Sequence, residues 1–287
     1  MRHLTSLFDL STDHVREILT LARELKSRLR RGERPQLLAG HVLTQVFEKP
    51  SLRTRLSFDA AIMQLGGSSI FLSGKDAGFE GREAVSDVAR VIGGYSDIIA
   101  LRTYKQSLVE DFARWSGKPV INGLSNDCHP CQALADAQTI EEAFGSFSGL
   151  RVAYIGDGNN VAVSLAEVCG HLGMSFSMGT PPEYEFPRPF VERLKQRFPP
   201  AGTAGDERPA SGGEACRCGL HRCVGQHGAG GREGSPPEGL RGVPGGCRID
   251  EVRASQGPLH ALPARTPRPG SDRRGHGRPA EPVLPTS

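Results

Sequence analysis

Two short polar segments of the sequence have residue types and spacing suited to binding an anion and polarising a carbonyl group. Ser51-Leu52-Arg53-Thr54-Arg55 follows a β-like run and opens a helical pattern. It places a hydroxyl group, backbone N–H groups and guanidinium groups at a helix N-terminus, where the helix dipole favours an anion. Arg102 ends another apolar run. A lone arginine there is more often a surface ion pair, so Arg102 gains meaning only beside other donors.

A third segment, Asp127-Cys128-His129-Pro130-Cys131-Gln132, also opens a helix, and two interpretations of it compete. Cys-x-x-Cys at a helix N-terminus has the form of a thiol redox site, because the helix dipole lowers a thiol pKa. The segment comes late in the βα series, however, and not after the first strand. In the second interpretation His129 and Gln132 donate hydrogen bonds to a carbonyl or phosphoryl oxygen, and the cysteines are incidental. A helix start whose histidine caps its own turn is the remaining possibility.

The glycine-rich segment Ile155-Gly156-Asp157-Gly158-Asn159-Asn160 follows a strongly apolar run. It resembles a dinucleotide-binding loop, but the third glycine of G-x-G-x-x-G is missing and Asn160 adds an amide group. We therefore expect no nicotinamide cofactor, and we expect no other cofactor or metal.

Alternating strand and helix patterns position these four segments. Apolar periodicity predicts strands over 42–47, 69–72, 98–101, 119–122, 150–158 and 175–179, and helices over 12–31, 52–65, 83–92, 108–115, 131–144 and 161–172, with Thr12 as the first N-cap. This alternation predicts an α/β protein with two doubly wound parallel sheets, joined by the long helix before Leu150. Ligands of such sheets bind at the carboxyl ends of the strands, where the polar segments fall.

The last third of the chain has a different composition from the rest. Residues 199–287 contain 18 of the 36 glycines, 13 of the 21 prolines and 12 arginines, but no lysine, phenylalanine, tyrosine or tryptophan. Only 10 residues there are Leu, Ile or Val, too few to offset the entropy of ordering the backbone. We expect a first domain over 1–137, an incomplete second domain over 138–198 and a disordered tail over 199–287.

Charge and cysteine content exclude several classes of protein. Residues 1–198 hold 23 basic and 23 acidic side chains, a balance that argues against nucleic-acid or membrane-surface binding. The sequence has neither an apolar run of about 18 residues nor a signal-peptide pattern at its start. Seven cysteines without regular spacing indicate free thiols. We therefore expect a cytoplasmic protein.

Taken together, the four segments resemble the carbamoyltransferases, and among them the ornithine carbamoyltransferases. The resemblance implies that Ser51, Leu52, Arg53 and Thr54 hold the phosphate of carbamoyl phosphate, that Arg102 and His129 polarise its carbonyl group, that Pro130, Cys131 and Gln132 complete the pocket, and that Asn160 contacts ornithine. It also implies a homotrimer that makes citrulline and phosphate without a metal. Preorganised donors around a developing oxyanion suffice for such a transfer. The aspartate-specific relatives share the first and third segments, and Gly-Asp-Gly-Asn-Asn favours ornithine.

The sequence departs from the family at one loop. A glutamine that reaches a neighbouring subunit's substrate in this family aligns with Gly78, which leaves the contributions of Lys75 and Arg82 open. Later, the family's Asp-x-x-x-Ser-Met and His-Cys-Leu-Pro segments are both missing.

A displaced reading frame accounts for the missing segments. When one base is dropped, the codons for residues 221–230 permit Thr-Asp-Val-Trp-Ala-Ser-Met-Gly-Gln, and those from residue 257 onward permit His-Cys-Leu-Pro. The codons for residues 206–210 permit Thr-Asn-Asp-Pro in the same frame, so the displacement lies before about Gly205. We therefore interpret Cys216, Cys218, His221 and Cys223 as accidents of frame and not as a zinc site.

The sequence thus predicts an ornithine carbamoyltransferase whose activity is impaired by loss of the later ornithine contacts. Three alternatives remain: an inactive remnant that only binds carbamoyl phosphate, a carbamoyltransferase specific for aspartate or another amino acid, and a thiol oxidoreductase built on Cys128 and Cys131.

Overall fold

The first half of the chain forms a four-stranded parallel sheet. The computed structural model describes residues 3–79, 83–199 and 218–221. Its first four strands are β1 (Val42–Phe47), β2 (Ser68–Ser73), β3 (Ile98–Arg102) and β4 (Val120–Leu124), in the spatial order β2-β1-β3-β4 with every pair parallel. This confirms the predicted α/β class, in which crossover helices cover both faces of a parallel sheet.

Five helices occur in this part of the chain. They are α1 (Thr12–Arg30), α2 (Leu52–Gln64), α3 (Val85–Tyr95), α4 (Gln106–Trp115) and α5 (Pro130–Phe144). The predicted N-cap of α1, Thr12, is wrong by one residue, because the Ser11 hydroxyl group accepts the N–H of His14 at 3.1 Å. None of the described helices combines the length and apolar character needed to cross a lipid bilayer.

A second parallel sheet follows α5. It contains β5 (Arg151–Ile155), β6 (Ser175–Gly179) and β7 (Cys218–His221), in the order β6-β5-β7, with helices α6 (Asn160–Leu172) and α7 (Arg188–Arg197). The sequence patterns did not predict α7 or β7. Strand β7 falls within the expected tail, and pairing with the open edge of β5 uses backbone groups that composition does not reveal. The rest of that tail lies outside the described residues.

Two main apolar clusters hold these layers together. One lies between the first sheet and its helices and includes Phe112 and Ile99, both fully buried. The other packs Tyr154 of β5 against Leu165 of α6 and Ile140 of α5. Helix α5 begins after β4, at the carboxyl edge of the first sheet, and its apolar residues pack in this second cluster. It therefore connects the first sheet to the second.

The N-terminal residues form a strap across both halves. Leu4 exchanges backbone hydrogen bonds of 2.8 Å with Val120 and Asn122, so it lies along the outer edge of β4. Three residues later, the carbonyl group of Leu7 lies 2.8 Å from Nε2 of His171 on α6. This strap, residues 3–10, therefore contacts elements of both sheets.

Candidate active site

The polar segments predicted from sequence converge at one edge of the first sheet. Phe47, the last residue of β1, lies beside Arg102 of β3, and Arg102 lies beside Leu124 of β4. A register shift between Leu101 and Arg102 marks the end of regular pairing. Since the loops that follow these strands leave from one edge, they bring the first three polar segments together.

Ser51 begins the site by capping α2. Its backbone is extended (φ −159°), and its hydroxyl group lies 3.4 Å from the N–H of Thr54 and 2.9 Å from the Thr54 hydroxyl oxygen. The neighbouring side chains of Leu52 (75% exposed) and Arg53 are exposed. The cap therefore presents hydroxyl and N–H groups at a positive helix terminus, and Leu52 can offer only its backbone there.

Arg102 faces this cap across the sheet edge. Its Nη1 lies 3.5 Å from the Thr54 hydroxyl oxygen, and its Nε is buried without a hydrogen-bond partner among the described residues. Burial, together with the nearby charge of Arg53, lowers the pKa of Arg102. Two guanidinium groups whose charges act on each other at a helix N-terminus favour an anion.

Glu48 and Lys49 tie the three strand ends together, a role that sequence reasoning missed. The Glu48 carboxylate accepts hydrogen bonds from the hydroxyl group of Thr103 and, at 3.0 Å, from the N–H of Tyr104. The Glu48 N–H donates to the carbonyl group of Arg102 at 2.8 Å. These contacts fix the backbone on both sides of Arg102. In the sequence, only the position of Glu48 and Lys49 in the same loop as Ser51 could have indicated this role.

Lys49 reaches the loop that follows β4. Its Nζ lies 2.5 Å from Oδ1 of Asn126 and 4.5 Å from the ring centroid of Tyr104. Burial and the charge of Arg102 lower the pKa of Lys49, while Glu48 opposes this shift. The lysine thus brings the His129 segment towards the Arg102 strand end.

His129 immediately precedes α5 and occupies its N-cap position. Its backbone N–H donates to the hydroxyl oxygen of Ser164 on α6 at 2.9 Å. Pro130 follows at the first helical position, where its missing N–H costs nothing. The amide group of Gln132 donates to Asp136, one turn later on the same helix, at 2.9 Å. The side chain of Gln132 is thus held by a hydrogen bond within its own helix.

The two thiols of the third segment are poorly suited to redox chemistry. Burial raises the pKa of Cys128 and of Cys131 to about 12. The Cys131 thiol lies 3.5 Å from the carbonyl oxygen of Asn122, and Cys128 is 4% exposed. A thiol oxidoreductase needs an accessible thiolate, so the structure contradicts that alternative.

The glycine-rich segment forms the turn between β5 and α6. Asn159 caps α6 by accepting the N–H groups of Val161 and Ala162 at 3.0 and 3.2 Å. The next residue, Asn160, donates its amide group to the carbonyl group of Ser125 at 2.5 Å. Asn160 therefore lies beside the His129 segment, and its amide already has a partner there.

The loop after β2 contains the position at which the sequence resemblance predicts a glutamine. Gly78 adopts a left-handed conformation (φ +74°), and Asp76 accepts the N–H of Ser73 at 3.0 Å. Lys75 is exposed. Arg82 lies outside the described residues, so its contribution stays a prediction.

Comparison with known proteins identifies the family. Residues 2–142 match the aspartate/ornithine carbamoyltransferase carbamoyl-P binding domain, and residues 148–205 match the Asp/Orn binding domain of the same family. The chain belongs to the aspartate/ornithine carbamoyltransferase family. It is 44% identical over 191 residues to an ornithine carbamoyltransferase of Anoxybacillus flavithermus, an alignment covering 67% of this chain and 61% of that protein.

Solved structures of this carbamoyltransferase family agree. Ornithine carbamoyltransferase from Pyrococcus furiosus matches with a TM-score of 0.67 and 41% identity, over 68% of this chain and 63% of that one. The enzyme from Thermus thermophilus matches with a TM-score of 0.65 and 34% identity, over 76% and 73%. The chain thus spans about three fifths of the length of the first curated relative, and the family match ends at residue 205.

Proposed function

We propose that this chain derives from an ornithine carbamoyltransferase and that its described part binds carbamoyl phosphate. The observation that carries the proposal is Arg102, a partly buried guanidinium group that lies beside Thr54 and Arg53 with its Nε unpaired among the described residues. An anion satisfies such a group better than water does, because burial strengthens charge-assisted hydrogen bonds.

The proposed reaction transfers the carbamoyl group to the side-chain amine of ornithine. The amine attacks the carbonyl carbon, electrons move onto the carbonyl oxygen, phosphate leaves, and the amine loses a proton. Arg102 and His129 donate to the developing oxyanion, and Ser51, Arg53, Thr54 and the backbone of Leu52 hold the phosphate. Pro130, Cys131 and Gln132 complete the pocket. The side-chain amide of Asn160 donates a hydrogen bond to the carbonyl group of Ser125, so it must release this bond before it can contact ornithine.

Ornithine is the proposed acceptor because of the Gly156–Asn160 turn and the names of the relatives. The turn contains two amide side chains and no basic residue, whereas we expect a basic residue there in the aspartate enzymes. The curated relatives at 43–47% identity are named ornithine carbamoyltransferases. An aspartate-type enzyme is the second candidate, and replacing ornithine by aspartate in the assay tests it.

We further propose that the reading frame is displaced between the codons for Arg197 and Gly205. The family match ends at residue 205, and the missing Ser-Met and Cys-Leu-Pro segments are permitted by the displaced frame. In that same frame, the codons from residue 218 to residue 222 permit Val-Val-Tyr-Thr, and the first position admits only Val or Ala. Those residue types favour a strand, and β7 pairs with β5 at this place in the chain.

Assembly into a homotrimer is also proposed, and an exposed apolar stripe on α2 supports self-association. Leu52, Leu56 and Met63 are 75%, 56% and 64% exposed and lie on one face of that helix. Ile70 on the edge strand β2 is 43% exposed. Static light scattering on the purified chain measures the oligomeric state, and a monomer at micromolar concentration contradicts this part of the proposal.

The test of function compares the chain as it stands with a version whose frame is restored after residue 198. We expect the restored version to form citrulline from carbamoyl phosphate and ornithine, and the present chain to bind carbamoyl phosphate with little or no turnover. Ordinary turnover by the present chain would refute the impairment. Absence of citrulline from a folded, restored version would refute the proposed reaction.

A further inference from the structure

Ser164 lies outside the four polar segments, yet it contacts the turn that carries His129. It belongs to α6 of the second sheet and is fully buried. Its hydroxyl oxygen accepts the backbone N–H of His129 at 2.9 Å, across 35 residues of sequence. A buried hydroxyl group in the middle of a helix is thus aimed at the residue proposed to polarise the carbonyl group.

The turn before α5 depends on contacts from outside because His129 does not cap its own helix. His129 has φ −139° and ψ 69°, and its side chain makes no capping hydrogen bond. At the start of this turn, the Ser125 hydroxyl group accepts the N–H of Cys128 at 3.2 Å and donates to the side-chain oxygen of Gln106 at 2.7 Å. These contacts hold the start of the turn, and Ser164 holds its end.

Asn160, four residues before Ser164 on α6, also contacts the segment that precedes α5. Its amide group donates to the carbonyl group of Ser125 at 2.5 Å. Asn160 and Ser164 are four residues apart and therefore lie on one face of the helix. Two side chains of the amino-acid half thus fix the two ends of the turn, residues 125–129, that belongs to the carbamoyl-phosphate half.

We propose that Ser164 is a positioning residue that sets the location of His129 in the carbamoyl-phosphate site. The inference rests on the proposed function of His129. Without the Ser164 hydroxyl group, the partly buried N–H of His129 loses its acceptor, and the turn shifts to find another. The imidazole then moves away from the carbonyl oxygen, while the phosphate-binding cap at Ser51 stays in place on a different strand end.

The experiment compares carbamoyl phosphate with inorganic phosphate by calorimetric titration of the full chain. In Ser164→Ala we expect the affinity for carbamoyl phosphate to fall about 10-fold, while the affinity for phosphate changes less than about twofold. The matched control is Ser116→Ala, because Ser116 is also buried and accepts a backbone N–H, that of Lys118, at 3.2 Å. We expect this control to leave both affinities unchanged.

The remaining outcomes separate this inference from the proposed function. Equal loss of both affinities, or no loss of either, in Ser164→Ala would overturn the positioning role. Ser164→Thr keeps the hydroxyl acceptor, so it should retain most of the affinity for carbamoyl phosphate. If the unchanged chain binds no carbamoyl phosphate, the proposed function fails, and this inference fails with it.

A measurement on the unchanged chain covers the case in which Ser164→Ala does not fold. Amide hydrogen exchange, followed by NMR, reports on the N–H of His129 directly. We expect this amide to be protected at least tenfold more than the amide of Lys105, an exposed residue that precedes α4, because the His129 N–H donates to a buried hydroxyl group. Exchange of both amides at the same rate would overturn the proposal.

Discussion

Replacing Arg102 by methionine should weaken ligand binding while stabilising the protein without ligand. The Nε atom of Arg102 is buried and has no hydrogen-bond partner within residues 3–79, 83–199 and 218–221, and both burial and Arg53 disfavour its charge. Methionine keeps an apolar stem in the same space but carries no charge. Removing an unsatisfied charged group relieves on the order of 1–3 kcal/mol, and we take the lower end because Arg102 is only partly buried. The expected increase in the free energy of unfolding is therefore about 1 kcal/mol.

Binding should change in the opposite direction. A hydrogen bond from a charged donor to an anion contributes about 1.5–3 kcal/mol, so the variant should bind carbamoyl phosphate roughly 10- to 100-fold more weakly. Urea denaturation in phosphate-free buffer measures the first effect, and calorimetric titration measures the second. Arg90→Met is a matched control, because Arg90 pairs with Asp87 at 2.9 Å and covers Trp115, away from the site. A variant at Arg102 that is less stable and binds normally would refute the reasoning.

Two further predictions concern stability. A Cβ atom added at Gly93 would lie 2.1 Å from the carbonyl oxygen of Ser116, whereas one added at Gly94 meets nothing within 4 Å. Thermal denaturation should therefore show Gly93→Ala destabilised by about 2 kcal/mol or more, and Gly94→Ala unchanged or up to about 1 kcal/mol more stable. Equal effects of the two substitutions would contradict this prediction. Burial raises the pKa of Glu167 to about 8 from an ordinary value near 4.5, so its contribution to stability is present below about pH 4.5 and is lost as the pH rises through 8. In urea titrations between pH 5 and 8, Glu167→Gln should therefore reduce the decline of the unfolding free energy with pH. An unchanged decline would exclude Glu167 as its cause.

Sequence reasoning found the strands well because buried parallel strands are continuous apolar runs. The predicted strand over 42–47 coincides with β1, which is buried along almost its whole length. The predicted strand over 175–179 coincides with β6, whose exposed and partly buried residues alternate instead. Helix α7 was missed because few of its residues are apolar, and its place depends on partners far away in sequence. Phe190 of that helix lies 6.0 Å, between ring centroids, from Phe8 in the N-terminal strap.

The structure brings together residues whose chemistry the sequence suggested, and their roles in binding stay predictions. Ser51, Thr54 and Arg102 stood out because hydroxyl and guanidinium groups at helix starts and strand ends have a recognisable chemistry, and Arg102 lies 3.5 Å from Thr54. Glu48 and Ser164 were missed as supports because their partners, Tyr104 and His129, lie 56 and 35 residues away. No local pattern records such pairings, which arise only when the sheet brings strand ends together.

The N-terminal strap also constrains the order in which the chain can fold. Its residues leave the ribosome before their partners, because β4 follows Leu4 by more than 100 residues and His171 follows Leu7 by 164. At about 5–20 residues per second, Leu7 waits roughly 8–33 s for that partner. Contacts so distant in sequence are slow to form. Arg197, which donates to the carbonyl group of Leu10 at 3.1 Å, and Phe198, whose ring stacks on that of Phe8 with 6.2 Å between centroids, reach the strap later still. All of these partners precede residue 205, so the contacts that close the strap use no residue encoded beyond that point, in whichever frame the ribosome continues.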